Sequence, residues 1–335
     1  MDARRFTTTR WLVTLAACVG VAACGFAVAV AFGEQPIDFS QVGVDGSTDA
    51  LLFWSLRLPR VVLAALVGAA LAASGATLQS LLRNPLADPF VLGVSGGAAL
   101  GATVALAFGA VVSVSLPALA AVSSFALLGA VGATVLVLAV GRMAGGGPGT
   151  TLLAGVIFNA FALAMITFIK ALVAPDKLGE ILFWLAGSLG HETWASLGLV
   201  GAGVVASLLA LTALSPRLNL LSLGADDAQS LGVDVRRTTR LLLLVSSIAV
   251  AVVVSLSGLV GFVGLLVPHL ARLLFGADQR VVVPTSALLG ATFLMLADLA
   301  ARLLFRVFHT EPPVGVITSL LGGPLFLLLM ARRSR

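Results

Sequence analysis

The sequence predicts an all-α integral membrane protein in which about ten transmembrane helices form one bundle. Of its 335 residues, 59% are hydrophobic and only 10% are charged, and its mean hydropathy is +1.10. Soluble domains carry roughly 25% charged residues, and one bilayer span needs about 20 apolar residues. This composition excludes a soluble enzyme, a disordered chain and a coiled coil, while the 36 glycines suit close helix packing in lipid.

Ten apolar runs, separated by charged residues, proline or glycine, are the predicted spans. Proline or glycine stands at the start of the second, third and fourth runs, at Pro59, Gly93 and Pro117, and charged segments separate the sixth run from both of its neighbours. We expect residues 1–335 to form a single transmembrane domain. The runs cover 11–33, 59–82, 93–111, 117–140, 150–170, 193–214, 240–259, 262–276, 282–305 and 313–331.

Ten spans place both termini on the same side of the membrane. Lys and Arg accumulate in short cytoplasmic loops, and with a cytoplasmic N-terminus only six of the 20 Lys and Arg residues fall outside. The distribution therefore predicts that both termini are cytoplasmic, and it explains the basic net charge without nucleic-acid binding. The six outer residues are Arg57, Arg60, Lys170, Lys177, Arg302 and Arg306.

The two cysteines belong to the first apolar run. Cys18 and Cys24 lie six residues apart, which places them on different faces of a helix, so no disulfide is expected. A lipoprotein-type signal sequence ending at Cys24 is one interpretation of this region. The apolar run continues past Cys24 to Phe32, which favours a first helix that is retained.

Residues for nucleotide hydrolysis or metal binding are few. Neither Lys170 nor Lys177 follows a glycine, so the chain has no G-x-x-x-x-G-K-[ST] phosphate-binding loop and cannot itself be a P-loop ATPase. His191, His269 and His309 are far apart in the sequence and lack carboxylate or cysteine partners at metal-ligand spacing. No metal site is expected.

One short pattern allows an enzymatic alternative. Gly93-Val94-Ser95-Gly96 fits the G-x-S-G pattern of rhomboid-type intramembrane proteases, in which the serine acts with a histidine on a later helix. His269 would have to be that partner. Small residues at a helix crossing explain the same pattern, and a packing or capping role for His269 is favoured over catalysis.

Arg57 and Arg60 flank Pro59 at the predicted start of the second span, three residues apart and so on nearly the same helix face. Cations at a helix N-terminus oppose the helix dipole, and arginines on the outer side run against the topology rule. Helix stability therefore does not explain them. Interfacial snorkelling or pairing with Asp45 or Asp49 is the structural alternative.

Arg302 is easier to explain as a structural residue. It lies near the predicted C-terminus of its span, where a cation is favoured, and Asp298 stands four residues earlier as a ready partner. Asp298 and Asp88 are also the few carboxylates that an ion-coupled secondary transporter could use inside the membrane. That class of transporter remains an alternative.

Residues 215–240 form the largest segment on the predicted cytoplasmic side. Asp226 and Asp227 suit the first turn of a short helix and Gly232 suits its end. A helix this short is unstable alone in water. It must therefore dock either on the chain's own bundle or on a separate cytoplasmic subunit.

Several blocks of sequence, in order, resemble the FecCD family, the permease subunits of ABC importers for ferric siderophores, haem and cobalamin. The first block is Arg57-Leu58-Pro59-Arg60, and together the blocks extend over nearly the whole chain from Leu51 to Arg332. Several blocks in the right order are more specific than any single motif. The blocks are 57–60, 68–79, 82–89, 92–98, 153–159, 184–189, 223–233, 258–269 and 313–318.

The resemblance implies a ten-helix, multi-pass subunit of the cell inner (plasma) membrane that imports substrate without being an enzyme. It implies a homodimer or close heterodimer of permease subunits, with an identical partner as the first expectation and the substrate path along the two-fold interface. It also implies two ATPase subunits that carry ATP and Mg, a periplasmic or lipid-anchored substrate-binding protein, and no cofactor in this chain. A ferric siderophore or haem is the first expected cargo, and cobalamin the second.

The resemblance also assigns roles to residues at matching positions. Arg57, Arg60 and Arg302 would pair with acidic side chains of the binding protein. Gly155, Asn159 and Ser188 would line the translocation path, although an interhelical hydrogen bond explains Asn159 equally well. The residues that would contact the ATPase are Leu223, Gly224, Ala225, Asp226, Asp227, Ala228, Leu231 and Gly232.

Overall fold

The computed structural model describes residues 7–44, 46–112, 118–145, 148–190 and 192–333, and every regular element in these ranges is helical. A π-helical segment, Leu52–Arg57, joins α2 to α3, and a 3-10 turn, Pro89–Leu92, precedes α4. The first helices are α1 Thr8–Ala31, α2 Thr48–Leu51, α3 Leu58–Leu81, α4 Val94–Val112, α5 Ala118–Met143, α6 Pro148–Leu172 and α7 Pro175–Leu185. The others are α8 Trp194–Leu223, α9 Ala225–Ser230, α10 Val235–Ser257, α11 Val263–Phe275, α12 Gln279–Phe308 and α13 Val314–Arg333.

The described helices have the length and composition of membrane spans. Seven helical segments are long and apolar enough to cross a bilayer. Three shorter apolar helices accompany them, Val94–Phe108, Val263–Phe275 and Val314–Leu329. This supports the predicted all-α membrane protein, whereas the exact number of crossings and the cytoplasmic position of both termini stay predictions.

The second span begins earlier than the sequence predicted. A continuous helical stretch of 34 residues runs over Thr48–Leu81, because Ser47 caps its first turn by accepting a hydrogen bond from the Ala50 amide. Arg57 and Arg60 therefore lie inside a helix. The expectation that they stand at a helix N-terminus was wrong, and another explanation is needed for their positions.

The sixth span also extends beyond its predicted end at residue 214. Pro216 lies inside α8, which continues to Leu223. Proline has no amide hydrogen, so it leaves the carbonyl four residues earlier, that of Thr212, without its helical partner. The Ser215 hydroxyl donates to that carbonyl at 2.7 Å, which allows the helix to pass through the proline.

A side chain from another helix repairs the same defect in α11. Pro268 leaves the carbonyl of Gly264 without its helical donor. The Gln79 amide, from α3, donates to this carbonyl at 3.1 Å. The Arg272 guanidinium donates in turn to Gln79 Oε1 and holds the amide in place.

At Pro284 in α12, a side chain from another helix again replaces the missing helical donor. It frees the carbonyl of Arg280, and the indole Nε1 of Trp11 donates to that carbonyl at 2.9 Å. Arg10 adds a hydrogen bond to the Phe275 carbonyl at 3.2 Å. The start of α1 is thereby fastened to the turn between α11 and α12.

Helix α3 is the most buried helix of the bundle and packs closely against α12. The two backbones meet at Gly68 and Gly290, where a Cβ on Gly68 would stand 2.1 Å from the Gly290 carbonyl oxygen. Only glycine permits this approach, which is typical of helix pairs in membranes. Gly75 makes an equally close approach to Gly264 of α11.

The bundle has two ends that carry different polar groups. At one end, called the Arg60 end, α3 begins, α1 and α12 finish, and Arg60, Asp298 and Arg302 meet. At the other end, called the α9 end, α3 finishes, α12 begins and α8 leads into α9. Helices α3 and α12 therefore run from one end to the other in opposite directions.

Candidate functional site

Two of the predicted outer arginines share a buried carboxylate. Asp298 is fully buried, and its Oδ1 accepts from Arg60 Nε at 2.9 Å and from Arg60 Nη2 at 2.7 Å. Its Oδ2 accepts from Arg302 Nε at 2.9 Å, the i, i+4 pairing that the sequence suggested. Arg60 also pairs with Glu311. Asp49, one alternative partner proposed from the sequence, is not among the ion-pair partners of Arg60 in the described residues, and the other, Asp45, lies outside them.

The remaining arginine nitrogens at this end bind the C-terminus of α1. The last carbonyls of a helix have no partner within it and form the negative end of its dipole, so cations there are stabilising. Arg57 and Arg302 supply donors there, and Arg306 donates to the segment that follows, which gives all three a structural role on the side that is predicted to be outer. Arg57 donates to the carbonyls of Val30, Ala31 and Gln35, Arg302 to those of Ala29 and Phe32, and Arg306 to those of Gly33 and Glu34.

Arg57, Arg60 and Arg302 line a pocket of about 190 Å³ that opens at the Arg60 end. Arg57 and Arg302 are only 8% and 5% exposed, so neither projects freely from the surface. A partner could reach them only by inserting a side chain into the pocket. If Arg57, Arg60 and Arg302 bind a partner, they do so through a side chain that enters this pocket. Their docking role stays a prediction. The pocket is lined by Glu34, Gln35, Leu52, Leu56, Arg57, Arg60 and Arg302.

The predicted short helix at the opposite end is present as α9. It docks on the chain's own bundle through Ala228, which is fully buried, while Asp226 and Asp227 in its first turn are exposed. Leu223 and Leu231 flank α9 and are also exposed. Ala228 thus packs α9 against the chain's own bundle, while the exposed part of the segment presents two large apolar side chains, Leu223 and Leu231.

The three residues predicted to line a path have structural partners. The Asn159 amide donates to the Phe90 carbonyl at 2.9 Å and accepts from the Gly96 amide at 3.2 Å, which are the interhelical hydrogen bonds of the alternative explanation. Gly155 is buried against the backbone of Val91, where a Cβ would stand 2.3 Å from the carbonyl oxygen. The Ser188 backbone amide donates to the carbonyl of Ser257 at the end of α10. Their lining role stays a prediction.

Comparisons with known proteins extend over nearly the whole chain. Residues 8–332 match the FecCD transport family. The chain belongs to the FecCD transport family. It is therefore an ABC importer permease, a membrane component whose family moves substrates rather than converting them.

Relatives of this FecCD permease are named for different metal chelates. It is 42% identical over 88% of its length to a cobalamin import system permease of Halobacterium salinarum, of which 76% is covered. It is 41% identical over 90% of its length to a hemin transport system permease of Yersinia pestis, of which 90% is covered. A solved structure described as an inward-facing ABC transporter assigned to the metal-chelate type matches 96% of this chain and 99% of its own, with 32% identity and a TM-score of 0.83.

The structure joins Ser188, which the resemblance singled out, to residues that were assigned no role. The segment after α7, the end of α10 and the start of α13 meet where the Ser188 amide of the FecCD permease donates to the Ser257 carbonyl at 2.9 Å and the Gly315 amide donates to the Gly187 carbonyl at 3.0 Å. Gly187 and Gly258 have φ of +75° and +63°, a conformation that favours glycine. Gly187 and Gly258 were the features of the sequence that could have indicated tight backbone turns at this junction.

An open pocket of about 480 Å³ lies beside this junction. Its walls are mainly apolar, and Ser319 adds one hydroxyl. A pocket of this size is a further candidate for contact with substrate. It is lined by Phe90, Leu185, Ala186, Leu259, Gly261, Gly315, Val316, Ser319 and Leu320.

The alternative chemistries gain no support from the residues involved. The Ser95 hydroxyl donates to the Phe90 carbonyl at 3.1 Å, and the buried His269 ring packs edge-on against Phe326. Asp88 caps the 3-10 turn by accepting from the Phe90 amide, and burial raises the pKa of this carboxyl. Within the described part of the chain, no group of three or more His, Cys, Asp and Glu residues could hold a metal ion.

Proposed function

We propose that this permease imports an iron chelate, a ferric siderophore or haem, by alternating access driven by ATP. Family membership carries the transport function, and the hemin permease of Yersinia pestis together with the metal-chelate transporter structure supports this class of cargo. Cobalamin is the second candidate, because the relative from Halobacterium salinarum is named for cobalamin. All three cargoes are bulky metal complexes.

The proposed transporter contains two permease chains and two ATPase chains in the inner (plasma) membrane. ATP and Mg bind the ATPase chains, since the permease has no phosphate-binding loop. We place the α9 end in the cytoplasm, in agreement with the distribution of Lys and Arg. A periplasmic or lipid-anchored binding protein then meets the Arg60 end.

The proposed ATPase contact is the exposed side of α9 and its flanks. Leu223 and Leu231 are 61% and 60% exposed on a segment that also presents Asp226 and Asp227 to solvent. An apolar pair of this size in a polar connection is unusual for a surface that faces only water. Docking of an ATPase chain would cover it and would transmit ATP-driven movement into α8.

The proposed contact for the binding protein is the arginine-lined pocket at the Arg60 end. Among the described residues, the hydrogen-bond partners of Arg57 are backbone carbonyls and include no carboxylate. Its charge is therefore available to an acidic side chain that enters the pocket. Arg60 and Arg302 would contribute less, because Asp298 already neutralises part of their charge.

Substrate-dependent ATP hydrolysis tests the proposed function. The chain would be reconstituted in proteoliposomes with its partner ATPase, and hydrolysis would be measured with the binding protein loaded in turn with a ferric siderophore, haem or cobalamin. We expect stimulation by a ferric siderophore or by haem. Stimulation by cobalamin alone would contradict the proposed cargo, and failure of the ATPase to associate would contradict the α9 assignment.

A further inference from the structure

The last two turns of α8, which lead into α9, are fastened to the beginning of α12 by Asn219. The Asn219 Nδ2 donates to Asp278 Oδ1 at 2.8 Å, and Asn219 Oδ1 accepts from the backbone amide of Gln279 at 2.8 Å. Gln279 is the first residue of α12, and its amide is one of those that a helix cannot satisfy internally. A side chain of α8 thus completes the N-terminal cap of α12.

Asp278 holds this joint together from the other side. Its Oδ1 also accepts from the Arg280 backbone amide at 3.0 Å, and its Oδ2 pairs with Arg280 Nη2 at 2.6 Å. Burial favours the neutral acid, but hydrogen bonds from Arg280 and Asn219 outweigh it and lower the pKa of Asp278. The carboxylate therefore stays ionised at neutral pH and accepts all of these hydrogen bonds.

A second fastening joins the same part of α8 to the end of α3. Arg83 Nη2 donates to the Leu221 carbonyl at 3.0 Å, and a Cβ on Gly224 would stand 3.8 Å from that nitrogen. Arg83 has a φ of +49°, a left-handed conformation that glycine adopts without strain and a long side chain does not. Glycine would adopt this backbone conformation with less strain than arginine. The reason for an arginine at this position therefore lies in its side chain.

The two helices that receive these fastenings reach the opposite end of the bundle. α3 and α12 are in backbone contact at Gly68 and Gly290, so they resist sliding past one another. Near the Arg60 end, the same two helices are joined by the pairing of Arg60 with Asp298. They form a continuous connection between the two ends.

We propose that Arg83 and Asn219 are positioning residues that couple α9 to the α3 and α12 pair, so that movement at the ATPase contact reaches the arginine-lined pocket. This inference rests on the proposed function. Arg83 is exposed, and the hydrogen bond described for its side chain goes to the Leu221 carbonyl of α8. It therefore acts on α9 through α8. Asn219 acts through the cap of α12.

The test compares basal and binding-protein-stimulated ATP hydrolysis in reconstituted transporters. Arg83→Gly removes the side chain and relieves its left-handed backbone, so the permease should fold at least as well as before. We expect unchanged basal hydrolysis and unchanged ATPase association, with stimulation by the loaded binding protein reduced about fivefold or more. Asn219→Ala should reduce stimulation similarly, and Arg83→Lys, which keeps a long cationic donor, should restore most of it.

The controls separate this inference from the proposed function. Arg142→Ala, at an exposed arginine near the end of α5 on the same side of the bundle, should leave stimulation unchanged. Stimulation of Arg83→Gly equal to that of the unmodified chain would overturn the inference, as would an equal fall in basal and stimulated rates or loss of the ATPase. Absence of stimulation in the unmodified transporter would instead contradict the proposed function.

Discussion

Asp298 determines the charge balance at the Arg60 end. It is fully buried and accepts hydrogen bonds from both Arg60 and Arg302. Buried ion pairs contribute modestly when complete, but removing one partner leaves an uncompensated charge. The carboxylate is thus a requirement for keeping two arginines inside the bundle.

Replacement of Asp298 should be strongly destabilising. Asp298→Asn leaves Arg60 with Glu311 alone and Arg302 with backbone carbonyls, and we expect a loss of about 3–5 kcal/mol in the free energy of unfolding. Equilibrium unfolding of the purified chain in detergent measures it. Glu180→Gln, which breaks the exposed pair with Lys177, is the matched control and should cost less than about 1 kcal/mol. Equal stability of Asp298→Asn and the unmodified chain would contradict this role.

Arg57 and Arg306 allow the docking proposal to be separated from stabilisation of α1. Arg57 donates to carbonyls in the last turn of α1 and Arg306 to carbonyls just after it, but only Arg57 lines the pocket. Arg57→Ala should raise the Kd of the binding protein by about tenfold or more, whereas Arg306→Ala should leave it nearly unchanged. Binding to immobilised transporter in nanodiscs would show this. A similar loss in both variants would mean that the α1 end, not the pocket, controls docking.

Residue contacts were predictable only where the sequence spacing is short. The pairing of Asp298 with Arg302 follows from their i, i+4 spacing in one helix. The pairing of Arg60 with Asp298 joins residues 238 positions apart, and no local pattern indicates it. The binding of Arg57 to carbonyls of α1 was equally inaccessible, because backbone acceptors leave no signature in the sequence.

The ends of the helices were harder to predict than the helices themselves. The sixth span was predicted to end at residue 214, yet α8 continues through Pro216 to Leu223, because Ser215 supplies the missing donor. The apolar runs themselves were reliable, since each described span overlaps a predicted run. Helix ends depended on capping and on side-chain donors from other helices, as with Ser47 and Trp11.

The Trp11 and Pro284 pair tests this explanation of a helix that contains proline. Trp11→Phe removes the donor to the Arg280 carbonyl and should lower the free energy of unfolding by about 1 kcal/mol. In a Pro284→Ala background, alanine supplies its own amide to that carbonyl, so the same substitution should cost almost nothing. Unfolding of the four variants in detergent gives the coupling energy, and additive effects would show that the indole is not the substitute donor.

Orientation in the membrane is a property of the whole molecule, and thiol labelling from the two sides measures it. Phe39 is exposed at the Arg60 end and Leu231 is exposed at the α9 end. In a background with Cys18 and Cys24 replaced by alanine, Phe39→Cys should react with a membrane-impermeant thiol reagent on intact spheroplasts. Leu231→Cys should react only after permeabilisation. The reverse pattern would invert the predicted topology and remove α9 from the cytoplasm.

Transport in this account depends on a bundle that links two distant polar ends through α3 and α12. ATP-dependent uptake is the measurement that tests it most directly. Proteoliposomes containing the permease, its ATPase and the loaded binding protein should accumulate a ferric siderophore or haem only when ATP can be hydrolysed, with or without an ion gradient. Uptake driven by an ion gradient in the permease alone would contradict the account and would identify a secondary transporter.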